Sequence, residues 1–177
     1  MPAHHQPNDK STHLGEMSVS LEVARIISRK KSQYGRYIDT KQWDKFHQIA
    51  LPDAELGFFD SDGSVLRVGR TPLAFSSVES FTTLFATFFA KAETLHIFGL
   101  GELEWIGPGK VKAIDQIMMK GTAGWVEVRG GGYYHESWKM EDGDWFLASL
   151  RLETTYTKTS RVARLLSFLQ RLRVAVV

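Results

Sequence analysis

The chain has 177 residues, of which 43% are hydrophobic and 12% aromatic, enough for one domain with its own core. It has no cysteine, which excludes disulfides, thiolate metal sites and cysteine nucleophiles. The formal charge of +2 is too small to predict a nucleic-acid partner, and no apolar run approaches the ~20 residues of a membrane span. Because the chain does not open with basic residues followed by apolar ones, as a signal peptide does, we expect a cytoplasmic protein.

Residues 1–17 are polar and lack periodicity, which predicts a mobile tail before a domain spanning 18–159. A helix is predicted to begin at Leu21, with Ser20 as its cap. A basic run on such a helix is typical of a solvated face, and we expect these basic side chains in solvent. The apolar face is Val23, Ile26, Ile27, Tyr34 and Tyr37, and the basic run is Arg25, Arg29, Lys30 and Lys31.

A second short helix is predicted over residues 40–50, with Trp43 and Phe46 facing inward and Leu51-Pro52 ending it. Short strands at 54–59 and 64–68 then flank an Asp-Ser-Asp-Gly turn, which lacks the glutamate that a calcium loop needs at its twelfth position. Ser76 and Glu79 form a capping box, which predicts a helix ending near Ala92 with its phenylalanines in the core.

Residues 94–123 are predicted to form two long strands joined by a type II turn at Gly107-Pro108-Gly109. Because strand side chains alternate between faces, one side of this pair is mostly apolar yet holds a histidine and an acid. Small-molecule pockets have this composition. The side consists of His96, Phe98 and Leu100 on the first strand and Val111, Ala113, Asp115, Ile117, Met119 and Gly121 on the second.

Strands are also predicted at 125–129 and 133–140, interrupted by three glycines at 130–132. No Gly-Lys-Ser/Thr and no helix follows these glycines, so a bulge or sharp bend is expected rather than a phosphate loop. Asp142-Gly143 predicts a hairpin turn into a last strand at 145–156. Residues 160–177 predict a basic amphipathic helix, which packs over its own domain or lies on a membrane or partner.

Three segments resemble the scytalone dehydratase branch of the SnoaL-like, NTF2-like proteins: YIDTKQWDKFHQIALPDAEL (37–56), TLHIFG (94–99) and SWKMEDGDWFLASL (137–150). The resemblance runs from about Val23 to Thr155. It implies an α+β fold, a cone-shaped barrel in which a strongly bent antiparallel sheet wraps around the N-terminal helices and encloses an apolar pocket. It also implies cofactor-free dehydration, isomerisation or cyclisation of a polyketide-like or related secondary metabolite, by a dimer or trimer whose residues 160–177 form a lid or subunit contact.

The resemblance carries the family's pocket aspartate to Asp39 and its first pocket histidine to His96, and we predict that these form a catalytic acid–base pair. A carboxylate beside an imidazole sets its tautomer and raises its pKa toward working pH. Other positions differ from the dehydratase, so we do not expect scytalone itself as the substrate. The second histidine falls on Gly121, the two tyrosines on Ile38 and Phe58, and a serine and an asparagine on Gly132 and Tyr134.

In the strand register that the resemblance implies, Tyr134 faces the pocket and can donate a hydrogen bond to an enolate. Asp115 and Glu136 are further candidate acids or bases. No histidine or carboxylate stands at a ligand spacing from His96, so neither a metal nor a cofactor is expected. The predicted substrate-binding residues are Tyr37, Phe58, Phe98, Asp115, Met119, Tyr134, Glu136, Trp138 and Leu150.

Three functions remain open. The first is a cofactor-free lyase or isomerase that uses His96 and Asp39. The second is a non-catalytic ligand-binding or scaffold module, since the same fold serves both purposes. The third is a cyclase or epoxide-opening enzyme, which requires carboxylates such as Asp115 or Glu136 in the pocket. In each case the expected partner is a small molecule, without nucleic acid and without stable membrane insertion.

Overall fold

The computed structural model describes residues 18–124 and 126–160, and helix α1 (Leu21–Asp39) is its first element. Ser20 caps this helix as predicted, because its hydroxyl accepts a hydrogen bond from the backbone N–H of Val23 at 3.3 Å. A 3₁₀ helix (Trp43–Gln48) follows and buries Phe46. Nine strands and a second helix complete the described part of the chain: β1 (Ala50–Phe59), β2 (Arg67–Val68), β3 (Thr71–Pro72), β4 (Ala74–Phe75), α2 (Val78–Phe88), β5 (Glu93–Phe98), β6 (Glu102–Gly107), β7 (Lys110–Ala123), β8 (Val126–Glu141) and β9 (Asp144–Thr159).

The main sheet has the strand order β4-β1-β9-β8-β7-β5, and β6 also pairs with β7. The α+β fold with N-terminal helices against a strongly curved sheet is confirmed, but the sheet is mixed rather than antiparallel. Strand β1 lies parallel to β9, with Leu56 opposite Leu150. Neighbouring strands such as β7, β8 and β9 form hairpins, which are antiparallel by construction. The pairing of the first strand with the last involves no local turn, so the sequence pattern carried no signal for its direction.

The first strand of the predicted pair is broken into β5 and β6, and both pieces pair with β7. Leu100, expected on the pocket side, is 97% exposed in the linker between them. The linker glycines lie close to β7, and a Cβ at Gly101 would come within 2.5 Å of Asp115 Oδ1. The following turn is as predicted, since Gly109 has the positive φ (61°) that the third position of a type II turn requires.

Four local predictions about helix and strand limits were wrong. Ser77, not Ser76, caps α2 and accepts from the Ser80 N–H at 3.2 Å, and α2 ends at Phe88. Two adjacent serines made the capping register ambiguous. Residues 50–52 begin β1 instead of ending a helix, and the segment 64–68 contributes a single bridge to β1 between Val65 and Phe59.

Strand β8 continues through Gly130–Gly132 without interruption, but its pairing with β9 shifts by one residue between Gly131 and Gly132. The predicted bulge is therefore present inside one long strand. A Cβ at Gly132 would overlap the backbone oxygen of Glu153, so only glycine lets β9 approach this closely. The Asp142-Gly143 turn is confirmed, with φ values of 50° and 81°.

A cluster of aromatic rings fills the space between the helices and the sheet. Phe81 of α2 contacts Tyr34 of α1, Phe46 and Phe58 of β1, with ring centroids between 5.4 and 6.3 Å apart. The cluster holds α1 across the helix-facing side of the sheet, which places its last turn beside β5. The predicted tail (1–17) and residues 161–177 of the predicted C-terminal helix lie outside the described residues. In the part of the chain that is described, no helix combines the length and the apolar character needed to cross a bilayer.

Candidate active site

Asp39 and His96 meet where the end of α1 packs against β5. Gly35, one turn before Asp39, makes this approach possible. A Cβ at Gly35 would lie 2.6 Å from Phe98 Cε2 and 3.1 Å from His96 Cβ. The glycine that weakens the isolated helix thus allows the helix to lie directly on the strand that carries the histidine.

The Asp39 carboxylate accepts three hydrogen bonds from β5. His96 Nδ1 lies 2.7 Å from Oδ1, Thr94 Oγ1 donates to Oδ1 at 2.8 Å, and the His96 backbone N–H donates to Oδ2 at 2.9 Å. The imidazole is 6% exposed and the carboxylate 15% exposed. The predicted contact between the two side chains is therefore present, with its partners largely shielded from water.

The ionisation of Asp39 reflects these contacts. Burial acts to raise the pKa of Asp39, but the hydrogen bonds from His96 and Thr94 together outweigh it, so the pKa of the carboxyl group is lowered. Since an ionised carboxylate can only accept, Nδ1 of His96 carries the proton and Nε2 is left as the basic nitrogen.

Lys41 flanks this pair and was not among the predicted site residues. Its Nζ lies 3.3 Å from the Ile38 carbonyl oxygen and 3.5 Å from Thr94 Oγ1. Burial lowers the pKa of Lys41, while the negative charge of Asp39 opposes the shift. Its backbone has a positive φ of 61°, uncommon for a residue other than glycine.

A second polar cluster lies deeper, where Lys31 of α1 reaches the sheet. Its ammonium contacts the carboxylate of Glu136, which also accepts from Trp138 Nε1 at 2.9 Å. Lys31 Nζ is 3.8 Å from the centre of the Tyr134 ring. Asp115 lies opposite Tyr134 in the neighbouring strand. Burial raises the pKa of Asp115 and the charge of Lys31 opposes this.

The expectation that Lys30 and Lys31 are solvated was wrong, since they are 2% and 3% exposed. Each has a carboxylate partner and an aromatic face, which for Lys30 are Asp144 at 2.7 Å and Phe146 at 3.8 Å. A buried lysine is tolerable only when it is paired in this way. The helical spacing held a signal for Lys31, because residues 27, 31, 34 and 38 form one stripe and the other three are Ile27, Tyr34 and Ile38.

The predicted face register is correct. Asp115, Tyr134, Glu136 and Trp138 are all buried on the helix-facing side, and Leu150 lies opposite Glu136. Three other predicted lining residues make separate contacts. Met119 lies opposite His96, Phe58 belongs to the aromatic cluster, and the Tyr37 hydroxyl donates to Gln48 at 2.9 Å.

The ring of Phe98 lies between the two polar groups. Its centroid is 6.4 Å from that of His96 and 4.9 Å from Lys31 Nζ. Grooves of about 660, 530 and 220 Å³ lie at the start of α1, between β1 and β4, and beside the β8–β9 hairpin, none of them lined by Asp39, His96 or Lys31. Within residues 18–124 and 126–160, no group of three or more histidine or carboxylate side chains is arranged to hold a metal ion.

Comparison with known proteins agrees with this architecture. The SnoaL-like domain family matches residues 19–151. The Gibberella zeae protein named "Probable cyclase FGR4" is 42% identical over 146 residues, which are 80% of this chain and 97% of that protein.

Two solved structures share the fold at low sequence identity. A scytalone dehydratase candidate from Novosphingobium aromaticivorans superposes with a TM-score of 0.64 at 14% identity, covering 83% of this chain and 89% of its own. Hexachlorocyclohexane dehydrochlorinase LinA-type3 from Novosphingobium barchaimii superposes with a TM-score of 0.62 at 18% identity, covering 79% and 94%. Both likenesses concern the NTF2-like fold.

Proposed function

Since this chain belongs to the SnoaL-like domain family, we propose that it is a cofactor-independent enzyme of the lyase–isomerase type. The observation that carries the proposal is the shielded His96–Asp39 pair with its 2.7 Å hydrogen bond. The 42% identity to a protein named as a cyclase supports an enzymatic role over a scaffold role. A polyketide-like or related secondary metabolite is the substrate class that suits the aromatic surroundings of the pair.

In this proposal, His96 Nε2 removes a proton from a carbon next to a carbonyl group of the substrate. The C–H electron pair forms a C=C bond while the carbonyl π pair moves onto oxygen, giving an enolate. Return of the proton to a different carbon completes an isomerisation. If the β carbon carries a hydroxyl group, the enolate instead expels it, and the proton held by His96 leaves with it as water.

Deuterium exchange provides a test that does not require the natural substrate. A panel of hydroxylated aromatic ketones and polyketide-like lactones is incubated with the protein in D₂O, and NMR and mass spectrometry follow exchange and product formation. We expect His96→Gln to lower the rate by about 10²–10⁴. Asp39→Asn should lower it by a similar factor, because the amide no longer fixes the imidazole tautomer.

His135→Gln is the matched control. His135 also faces a carboxylate, Glu153, at 3.4 Å, but it is 36% exposed and lies away from α1. Its replacement should leave exchange and turnover unchanged. Equal rates for wild type and His96→Gln would refute the acid–base role of the pair. Ligand binding without exchange or turnover across the panel would favour the non-catalytic module.

A second candidate, a cyclase in which a buried acid protonates an epoxide or carbonyl oxygen, is favoured by one observation. Asp115 is 6% exposed and its Oδ2 has no hydrogen-bond partner among the described residues. Because burial raises its pKa, the protonated acid is more accessible than for an ordinary aspartate. Product mass separates the cyclase from a dehydratase, since cyclisation conserves the substrate mass and dehydration removes one water. The NMR spectrum of the product separates the cyclase from an isomerase, since only cyclisation forms a new ring.

A further inference from the structure

Lys31 is joined to the His96–Asp39 pair by one stripe of α1. Lys31, Gly35 and Asp39 are spaced by four residues, so they project from the same side of the helix toward β5 and the sheet. The eight residue steps from Lys31 to Asp39 correspond to roughly 12 Å along the helix axis. Phe98 contacts both ends of this stripe through Lys31 and His96. The two polar groups therefore lie at opposite ends of this stripe, with the Phe98 ring between them.

The Lys31 ammonium has hydrogen-bond donors that the protein does not use fully. It carries three N–H groups and, among the residues that the structure describes, contacts one carboxylate, that of Glu136. Its other neighbours are the ring faces of Tyr134, Phe98 and Tyr34, at 3.8, 4.9 and 5.4 Å from Nζ to the ring centres. Ring faces attract a cation but do not replace an oxygen acceptor.

Asp115 is the second group of this centre with unused hydrogen-bonding capacity. Its carboxyl lies close enough for its charge to act on Lys31, yet its buried Oδ2 has no partner among the described residues. It also lies at the break in the sheet: β5 ends opposite Ile117 and β6 resumes opposite Ile114. Buried polar atoms are nearly always paired, so two unsatisfied groups in one cluster point to a ligand atom that completes them.

We propose that Lys31 and Asp115 form the oxygen-binding centre of the active site, which receives the carbonyl oxygen of the substrate and stabilises the enolate when His96 removes the proton from carbon. This rests on the proposed function. The ligand class is a carbonyl compound with an acidic C–H, bound against the ring of Phe98. The oxygen accepts one hydrogen bond from Lys31 Nζ and one from the protonated Asp115 carboxyl group, while the Glu136 carboxylate stays in contact with Lys31.

A matched pair of probes tests the centre without turnover. 4-Nitrophenol presents an enolate-like oxygen on an aromatic ring, and 4-nitrotoluene has a methyl group in its place. The measured quantity is the ratio of their dissociation constants, from calorimetry. We expect wild type to prefer the phenol, and Lys31→Met combined with Glu136→Gln to reduce this preference by about tenfold or more. The double variant avoids leaving Glu136 buried without a partner.

Lys30 supplies the control. It is a buried lysine on the same helix, with a carboxylate at 2.7 Å and an aromatic face at 3.8 Å, but its partners belong to the β8–β9 hairpin. Lys30→Met combined with Asp144→Asn should leave the preference for the phenol within about twofold of wild type. A purely structural role for Lys31 would weaken binding of both probes together and leave their ratio unchanged.

The proposal is overturned if the folded Lys31→Met/Glu136→Gln protein keeps the full preference, or if wild type prefers neither probe. Should that variant fail to fold by circular dichroism, Asp115→Leu decides, with loss of the preference supporting the centre and its retention refuting it. The outcome is separate from that of the exchange test. A phenol preference without deuterium exchange contradicts the proposed reaction and leaves the oxygen-binding centre in place.

Discussion

The hydrogen bonds that Asp39 accepts from Thr94 and His96 hold its carboxylate in the ionised form. A group with a lowered folded-state pKa stabilises the fold above its unfolded pKa, and the contribution is lost as pH falls through the folded pKa. The unfolded value for an aspartate is about 3.9. The stabilising effect of Asp39 is therefore complete at neutral pH and disappears below about pH 4.

Asp39→Asn should accordingly lower the free energy of unfolding by about 1–2 kcal/mol at pH 7, and the difference from wild type should shrink as the pH falls below about 4. Urea unfolding at a series of pH values measures both quantities. Replacing the exposed Asp53 by asparagine is the control, for which we expect no such pH-dependent difference. A difference for Asp39→Asn that stays constant down to pH 2.5, well below the ~3.9 of a free aspartate, would contradict the assignment.

The contact between α1 and β5 depends on Gly35. Alanine there gains about 1 kcal/mol of helix propensity, but its Cβ would meet the Phe98 ring at 2.6 Å and His96 Cβ at 3.1 Å. Overpacking of this kind costs about 1–3 kcal/mol. Relief requires the Phe98 ring to turn aside and His96 Cβ to move by a few tenths of an ångström, which we expect to lengthen the hydrogen bond between Asp39 and His96.

Gly35→Ala should therefore be neutral to destabilising by up to about 2 kcal/mol and should reduce turnover by more than its stability change explains. Thermal unfolding together with the exchange assay measures the two effects. Ser32→Ala, at an exposed position on the same helix, gains propensity without meeting β5 and should leave turnover unchanged. A Gly35→Ala protein that is more stable and fully active would show that α1 does not need this close approach.

Beyond single elements, the outward face of the sheet carries apolar side chains in one continuous row. Ile97, Met118, Gly131 and Tyr156 face one another across β5, β7, β8 and β9, and the three with side chains are at least 52% exposed. Exposed apolar patches of this kind mark interfaces. We expect a second copy of the chain to cover this row, in line with the predicted homo-oligomer.

Met118→Lys should shift the assembly toward the monomer in light-scattering chromatography, because it places a charge in the middle of the row. Met140→Lys is the control, since Met140 is also exposed, at 47%, but lies by the β8–β9 hairpin outside the row. The interface assignment fails if wild type is monomeric at high concentration, or if both variants assemble like wild type.

The predicted C-terminal helix adds a second expectation for the assembled protein. Ser160 is the last described residue, and its backbone N–H donates to the Glu127 carbonyl oxygen at 2.9 Å. Truncation after Ser160 should therefore leave a folded protein. If residues 161–177 cover the pocket, ligand affinity or turnover should fall, measured with the probe pair and the exchange assay. Unchanged binding and activity, with loss of binding to anionic vesicles, would instead support a membrane-surface helix.

Local rules accounted for much of the fold and part of the site. The Ser20 cap, the turns at Gly109 and Gly143 and the inward face of β7 and β8 follow from short-range conformational preferences and from side-chain alternation. The Asp39–His96 contact, though it joins residues 57 positions apart, was reached through resemblance to a family whose motifs carry both residues.

Only the tertiary structure decided the burial of Lys30, the direction of β1 and the break between β5 and β6. A lysine is buried in a core when a carboxylate there pairs with it. The partner of Lys30, Asp144, is 114 residues away, so helical periodicity could not predict the pairing. The parallel direction of β1 depends on its pairing with β9, a strand distant in sequence. The break at Gly99–Gly101 lies where the chain packs against side chains of β7. These features arise from contacts between distant segments, which exist only once the chain has folded.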